Sequence, residues 1–186
     1  HRLGHLALIA LTMVGRAGSD WPQFRGPTGD GQATATSLYL VWSPAQNVIW
    51  KVAVPGKGRS SPVVLGDGVW LTTAMTTGGR TFTQGPSQME QAEQVSFAVV
   101  CLDRATGRQR YVVEVASATN PPPINTLNSY ATPTPVAEPG RVYADFGTFG
   151  TACIDARDGR RLWSRKFPVD HAHGPGSSPV LHGNAL

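Results

Sequence analysis

The two histidines His171 and His173 are the residue pair in this chain best suited to chemistry. In an extended segment, side chains two positions apart lie on the same side of the backbone, so both imidazoles would face one way. Neutral imidazole is a common metal ligand. A metal site needs a third ligand, however, and none is near in the sequence. The pair is a candidate binding group, and two exposed loop histidines are the alternative interpretation.

A second candidate group follows three consecutive prolines at positions 121–123. Its polar side chains are Asn125, Asn128, Ser129 and Tyr130. A proline run stiffens the chain toward an extended shape, which would present Asn128 and Tyr130 as binding residues. The alternative is that these polar groups bond to the backbone of their own loop. Phe149 completes the candidates, either as an exposed contact or as a packing residue between repeats.

The motifs of common enzymes are missing from the sequence. No Gly-x-Ser-x-Gly segment is present, so a serine hydrolase has no motif here. The glycine pairs at 29–31 and 56–58 are interpreted as turns, because no helical pattern follows either of them, as a phosphate-binding loop requires. These observations favour a binding protein over an enzyme.

The elements that position these residues come from an internal repeat. Four pairs of identical residues are each 52 positions apart: Cys101 and Cys153, Asp103 and Asp155, Gly107 and Gly159, and Arg108 and Arg160. A third copy begins at Ser178. Short apolar segments and glycine turns at a fixed period are typical of β-propeller blades.

Each copy predicts four strands. In the first copy they are Pro62–Leu65, Val69–Ala74, Phe97–Leu102 and Arg108–Val115; in the second they are Pro135–Ala137, Arg141–Phe146, Thr151–Ile154 and Arg160–Phe167. Asp103 and Gly107, like Asp155 and Gly159, frame the turn before the last strand, because Asp bonds nearby amides and Gly accepts positive φ. The prediction is an all-β propeller of four-stranded antiparallel blades, of which this chain holds about two to three.

Large aromatic residues recur on the outer strands. Trp163 in the second copy corresponds to Tyr111 in the first, and Trp50 has the same place in an earlier strand, Val48–Val54. Aromatic side chains bury large apolar areas, so these three are predicted to pack one blade on the next.

The two copies differ in length only at one end of the predicted blades. The first copy has 21 extra residues within Thr76–Ser96, and the link that follows it, Ala116–Thr132, has 8 more than its counterpart. Because strands alternate in direction, both regions emerge on the same face as residues 170–176. Insertions that gather on one face mark a binding face in repeat proteins. The alternative is that long polar loops are only tolerated there.

The net charge and the N-terminal sequence indicate which partners and which cell compartment to expect. The chain has 16 basic and 12 acidic residues, and residues 1–19 contain two of the basic ones. Without residues 1–19 the net charge is +2, which does not indicate binding to nucleic acid. The apolar stretch Leu6–Val14, followed by the small residues 17–19, predicts a signal peptide at 1–19, truncated because the chain starts at His1. The stretch is too short to span a bilayer, and no other segment could. An exported, periplasmic or cell-envelope domain is expected at 20–186.

The repeat resembles a known family. Leu102–Arg108 and Ile154–Arg160, the second followed by Trp163, are similar to the repeat of pyrroloquinoline-quinone (PQQ) type propellers. Residues 20–27 and 60–64 resemble exported members of that family from planctomycete-type bacteria. The resemblance covers nearly all of residues 20–186. The motif is specific for the fold and says little about activity.

The resemblance implies one of two functions. Some family members are quinoprotein dehydrogenases that hold PQQ with a calcium ion beneath a pair of adjacent cysteines. Others, such as the outer-membrane assembly propeller, are scaffolds without a cofactor. This chain has no adjacent cysteines and no run of acidic residues. We therefore expect a non-catalytic module that binds a protein or glycan and needs no cofactor. The alternative is a PQQ- and calcium-dependent alcohol or sugar dehydrogenase whose site lies in other blades.

Overall fold

The structure, a computed structural model, describes residues 7–11, 20–35 and 38–186, and the all-β prediction is confirmed. The strands are β1 Ala7–Leu11, β2 Trp50–Val54, β3 Val63–Leu65, β4 Gly68–Thr77, β5 Arg80–Gln84, β6 Ser87–Gln91, β7 Gln94–Asp103, β8 Gln109–Thr119, β9 Ile124–Asn125, β10 Val136–Glu138, β11 Arg141–Asp145, β12 Thr151–Asp155 and β13 Arg161–Arg165. Within the described ranges, no helix has the length and apolar character needed to cross a bilayer. The predicted signal peptide lies outside the described residues except for β1, which pairs with β2.

The repeat forms two four-stranded antiparallel sheets, as predicted. The first has the order β3-β4-β7-β8 and the second β10-β11-β12-β13, and neither closes on itself. The registers match as well. Cys101 lies between Trp70 and Tyr111 in the first sheet, and Cys153 lies between Tyr143 and Trp163 in the second. The 52-residue period is therefore a repeat of pairing register and not only of sequence.

The first sheet is longer than the sequence indicated. Its second and third strands, β4 and β7, extend beyond the predicted Val69–Ala74 and Phe97–Leu102. The insertion between them, predicted as a loop, contains the hairpin β5–β6. Gly85 and Pro86 form its two-residue turn, a length that suits a tight hairpin. Met89, 2% exposed, anchors this otherwise polar hairpin to the protein.

The core lies between the two sheets. Phe97, fully buried on β7, stacks on Phe149 with ring centroids 4.4 Å apart and contacts Phe146 at 5.2 Å. The next residues of β7 alternate between this core and a smaller one against β2, which contains Val100 and Leu102. A strand with apolar partners on both faces explains the continuous apolar run seen in the sequence.

Two outer-strand aromatic residues contact the turn of the following sheet. The indole nitrogen of Trp50 donates to the carbonyl of Arg104 at 2.9 Å, in the turn that ends at Gly107. The hydroxyl of Tyr111 donates to the carbonyl of Ala156 at 3.0 Å, in the turn that ends at Gly159. The third residue, Trp163, is 36% exposed and borders a hollow of about 550 Å³.

Both turns are closed by an aspartate. The carboxylate of Asp103 accepts a hydrogen bond from Arg110 at 2.6 Å and one from the amide of Thr106 at 2.9 Å. The carboxylate of Asp155 accepts from the Arg157 guanidinium at 2.7 Å and from the Arg157 amide at 2.9 Å. These arginine contacts, followed by the hydrogen bonds within the turns, hold the pKa of each aspartate well below its usual range.

The depressed pKa of Asp155 predicts acid sensitivity. The unfolded chain takes up a proton on this carboxyl near pH 4, whereas the folded chain does so only at lower pH. The stabilisation is therefore complete above about pH 5, begins to fall near pH 4, and is lost progressively until the pH is below the lower pKa of the folded chain. Asp155→Asn should make the free energy of unfolding fall less steeply between pH 5 and pH 2. Urea titrations across this range measure the slope, and an unchanged slope would contradict the assignment.

Candidate functional site

Three segments from different parts of the sequence meet at one end of the sheets. The insertion hairpin pairs with the link between the sheets, since Met89 lies opposite Asn125 and β6 is hydrogen-bonded to β9. The amide of Asn125 in turn donates to the carbonyl of His173 at 3.3 Å. We call residues 80–91, 124–130 and 171–175 the insertion platform. The aspartate turns lie at the opposite end, because β7 runs from Gln94 beside the platform to Asp103 in the turn.

Asn128 holds two of the platform segments together. Its amide nitrogen donates to the carbonyls of His173 at 2.9 Å and of Pro175 at 3.2 Å. Its amide oxygen accepts from the amide of Ser129 at 2.8 Å and from the hydroxyl of Thr132. With both ends of the amide engaged, this side chain braces the platform and leaves little capacity to contact a ligand.

Tyr130 and Phe149 are packing residues in the structure. Tyr130 is 3% exposed, and its hydroxyl donates to the carbonyl of Pro122 at 3.0 Å. Burial raises the pKa of this hydroxyl. Phe149 ends a short 3-10 helix, Gly147–Phe149, between β11 and β12. Of its two interpretations the packing one holds, because its ring is 9% exposed and stacks on Phe97 of β7.

The two histidines have different surroundings. The Nε2 atom of His171 accepts a hydrogen bond from the amide of Thr148 at 3.2 Å. His173 is exposed, and its carbonyl takes part in the contacts of the platform. In the part of the chain that the structure describes, no three His, Cys, Asp or Glu side chains are placed to hold a metal ion together.

The described residues do not fit the PQQ and calcium site of the quinoprotein dehydrogenases. Calcium takes about six to eight oxygen ligands. The carboxylate of Glu90 is paired with Lys57, and the two oxygens of Asp145 accept from the amide of Gly147 and the hydroxyl of Thr151. These two carboxylates are each engaged separately, and among the described residues no three acidic, histidine or cysteine side chains converge on a common point.

A polar cleft of about 420 Å³ opens between the platform and the segment at Lys57, and platform residues form part of its lining. The sequence did not predict this cleft. The side chains on which its chemistry depends are Lys57, Thr76, Arg80, Thr81, Glu90 and Gln91. The Nζ atom of Lys57 lies 2.8 Å from Oε1 of Glu90. These two residues are 33 positions apart, so nothing in the sequence except their opposite charges could have predicted that they form an ion pair.

The local fold explains how Lys57 reaches the cleft. Its backbone exchanges two hydrogen bonds with Ala74 of β4, at 2.9 and 3.0 Å. Gly56 precedes it with φ +80°, and a Cβ there would lie 2.6 Å from the carbonyl oxygen of Ala74. Only glycine lets the backbone approach β4 so closely. The Gly-Lys-Gly turn therefore positions a lysine, although it is no phosphate loop.

Comparison with models of known protein families gave no match for this chain, and no curated protein matched it either.

Proposed function

We propose that this chain is part of an exported PQQ-like repeat propeller that acts as a non-catalytic binding or scaffold module. Its partner, a protein or a glycan, binds the insertion platform. The module works in the periplasm or cell envelope and uses no cofactor of its own. The proposal rests on the family resemblance of the repeat and on the geometry of the platform.

The propeller arrangement is supported by the repeated contact between the sheets. Trp50 and Tyr111 stand at equivalent positions and each packs on the aspartate-glycine turn of the next repeat. A contact of this kind relates each blade of a propeller to its neighbour in the same way. Trp163, the next aromatic residue in the series, borders an open hollow that would receive the turn of a further blade.

The convergence of the two lengthened segments with residues 171–175 is the observation that carries the binding function. The platform is held together by side chains such as Asn128, and it leaves other residues open to solvent. Leu127 is 81% exposed at its tip, and His173 is also exposed. A braced loop cluster with residues open to solvent is the kind of surface that partners use.

We expect Leu127→Glu and His173→Glu each to weaken partner binding at least tenfold. A new carboxylate at the contact must lose its hydration when the partner binds. Both residues are exposed, so the free energy of unfolding should change by less than about 0.5 kcal/mol. The immobilised chain is exposed to a bacterial envelope extract and to a glycan array. Bound species are identified by mass spectrometry, purified and titrated against each variant.

Arg108→Ala and Arg160→Ala are the matched controls, since both arginines are exposed at the turn end. They should bind the purified partner as tightly as the wild type. A partner that is lost from the arginine variants but retained by the platform variants would place the binding surface at the wrong end. A wild-type chain that captures neither protein nor glycan would contradict the proposed function altogether.

A further inference from the structure

The backbone segments that form the polar cleft are joined by hydrogen bonds. Lys57 is fixed through its backbone contacts with β4, and Glu90 lies on β6, directly opposite Thr81 of β5. The guanidinium of Arg80 donates to the side-chain oxygen of Gln91 at 3.3 Å. The volume of the cleft, about 420 Å³, falls in the range of small-ligand sites, roughly 300–1,000 Å³. A small molecule could therefore bind without a large rearrangement of the chain.

The charged groups of the cleft retain unused hydrogen-bonding capacity. Lys57 and Glu90 form one contact with each other, and their side chains are 40% and 27% exposed. An ammonium group has three donors, and a carboxylate has about four acceptor positions. The cleft thus offers donors and acceptors side by side, within one ion pair.

This arrangement favours a neutral, hydroxyl-rich ligand. An anion would meet the carboxylate of Glu90, and a cation would meet Lys57 and Arg80. A hydroxyl group both donates and accepts, so two neighbouring hydroxyls can bond to Lys57 and Glu90 without bringing in an unpaired charge. Lys57 and Glu90 compensate each other's charge. The remaining cation, Arg80, is exposed to solvent, donates to Gln91 and lies over the ring of Phe82, so the cleft needs no charged ligand for balance.

The residues at the bottom of the cleft could contact the C–H groups of such a ligand. Ala74, Ala92 and Tyr130 line the cleft there and are nearly buried. A sugar ring carries hydroxyls around its edge and C–H groups on its faces. The lining thus combines a small apolar area with a larger polar one, which suits a ligand whose own surface is mainly hydroxyl groups.

We propose that the polar cleft binds a neutral sugar unit of a glycan, with adjacent hydroxyls bonded to Lys57 and Glu90. This inference rests on the proposed function and specifies the partner as a neutral glycan. The contact is separate from the exposed tip at Leu127, so the two sites are tested by different variants.

The test titrates the full chain with defined oligosaccharides by calorimetry and by saturation-transfer NMR. The neutral probes are maltohexaose, cellohexaose, xylohexaose and chitohexaose; oligogalacturonate and the chitosan hexamer are the anionic and cationic counterparts. At least one neutral probe should bind. Its affinity should change little between low and high salt, because screening acts on charged ligands.

The variants Lys57→Met and Glu90→Gln remove one charge each with little change in shape. Each should lower the affinity for the neutral probe at least tenfold. Lys51→Met and Glu114→Gln make the same changes at exposed strand positions and should leave the affinity unchanged. Thermal unfolding of all four variants confirms that they are folded before the titrations are compared.

Binding of the charged probes alone would overturn the inference. Neutral binding that survives both cleft variants would also overturn it. If no sugar binds but a protein partner is lost from Leu127→Glu, the cleft inference fails and the proposed function stands. If neither sugar nor partner binds to the wild type, both fail.

Discussion

Gly159→Ala should lower the free energy of unfolding by about 2–5 kcal/mol, which is a large part of the stability of a small domain. Gly159 has φ +78°, and a Cβ there would lie 2.8 Å from the ring of Tyr111. The left-handed backbone costs an L-residue roughly 1–2 kcal/mol. Overpacking against the tyrosine adds roughly 1–3 kcal/mol. Gly107→Ala should behave alike, since its Cβ would lie 2.5 Å from the ring of Trp50.

Gly140→Ala separates the two costs. Gly140 has φ +83° and open space where a Cβ would be, so only the backbone cost of about 1–2 kcal/mol applies. Urea unfolding of the three variants, followed by far-UV circular dichroism, measures the difference. Equal losses for Gly140→Ala and Gly159→Ala would show that the aromatic residue does not press on the turn, and the contact between the sheets would have to be revised.

Phe97→Ala is expected to cost about 3–5 kcal/mol, because a fully buried aromatic side chain is removed from the core. Phe97 has no exposed surface and contacts Tyr130 of the link. It also contacts Phe146 and Phe149, which lie in the connection between β11 and β12 of the second sheet. The cavity would separate the two sheets where they share apolar surface. We therefore expect the variant to unfold in two steps, with the second sheet lost first.

Phe24→Ala is the control for Phe97→Ala, since this ring is 51% exposed. Its loss should stay within about 0.5 kcal/mol. Urea unfolding with tryptophan fluorescence and circular dichroism as two probes detects both the midpoint and any separation of the transitions. A Phe97→Ala variant that unfolds in one step at the wild-type midpoint would contradict the role of the aromatic cluster.

The repeat in the sequence was sufficient to predict the two sheets. It placed the strands in order and paired each with its neighbour in the chain, because a strand followed by a short turn returns beside itself. Gly107 and Gly159 marked turns, and the apolar run at 97–102 marked a strand covered on both faces. These are local or periodic properties, and the structure agrees with them to within a few residues.

The contacts of the predicted binding residues could not be predicted from neighbouring sequence alone. The polar residues near position 128 were predicted either to face a ligand or to satisfy their own loop. Asn128 does bond to its own loop, through the amide of Ser129. It also bonds to His173 and Pro175, which are 45 and 47 residues away and which neither alternative included. Tyr130 entered the core for a similar reason, since its neighbours there come from distant strands.

Only the tertiary structure decided what the insertion becomes. The hairpin β5–β6 is mostly polar, so the sequence showed no periodic pattern of apolar residues that would predict its strands. Its stability depends on the burial of Met89 and on pairing with β9. That pairing joins two segments that vary in length between the repeats. The cleft between Lys57 and Glu90 has the same origin, because a glycine turn and a hairpin 33 residues later pack at one end of a sheet. Periodic hydrogen bonding and burial are properties of the sequence, whereas a site made by distant loops exists only once the sheets have positioned those loops.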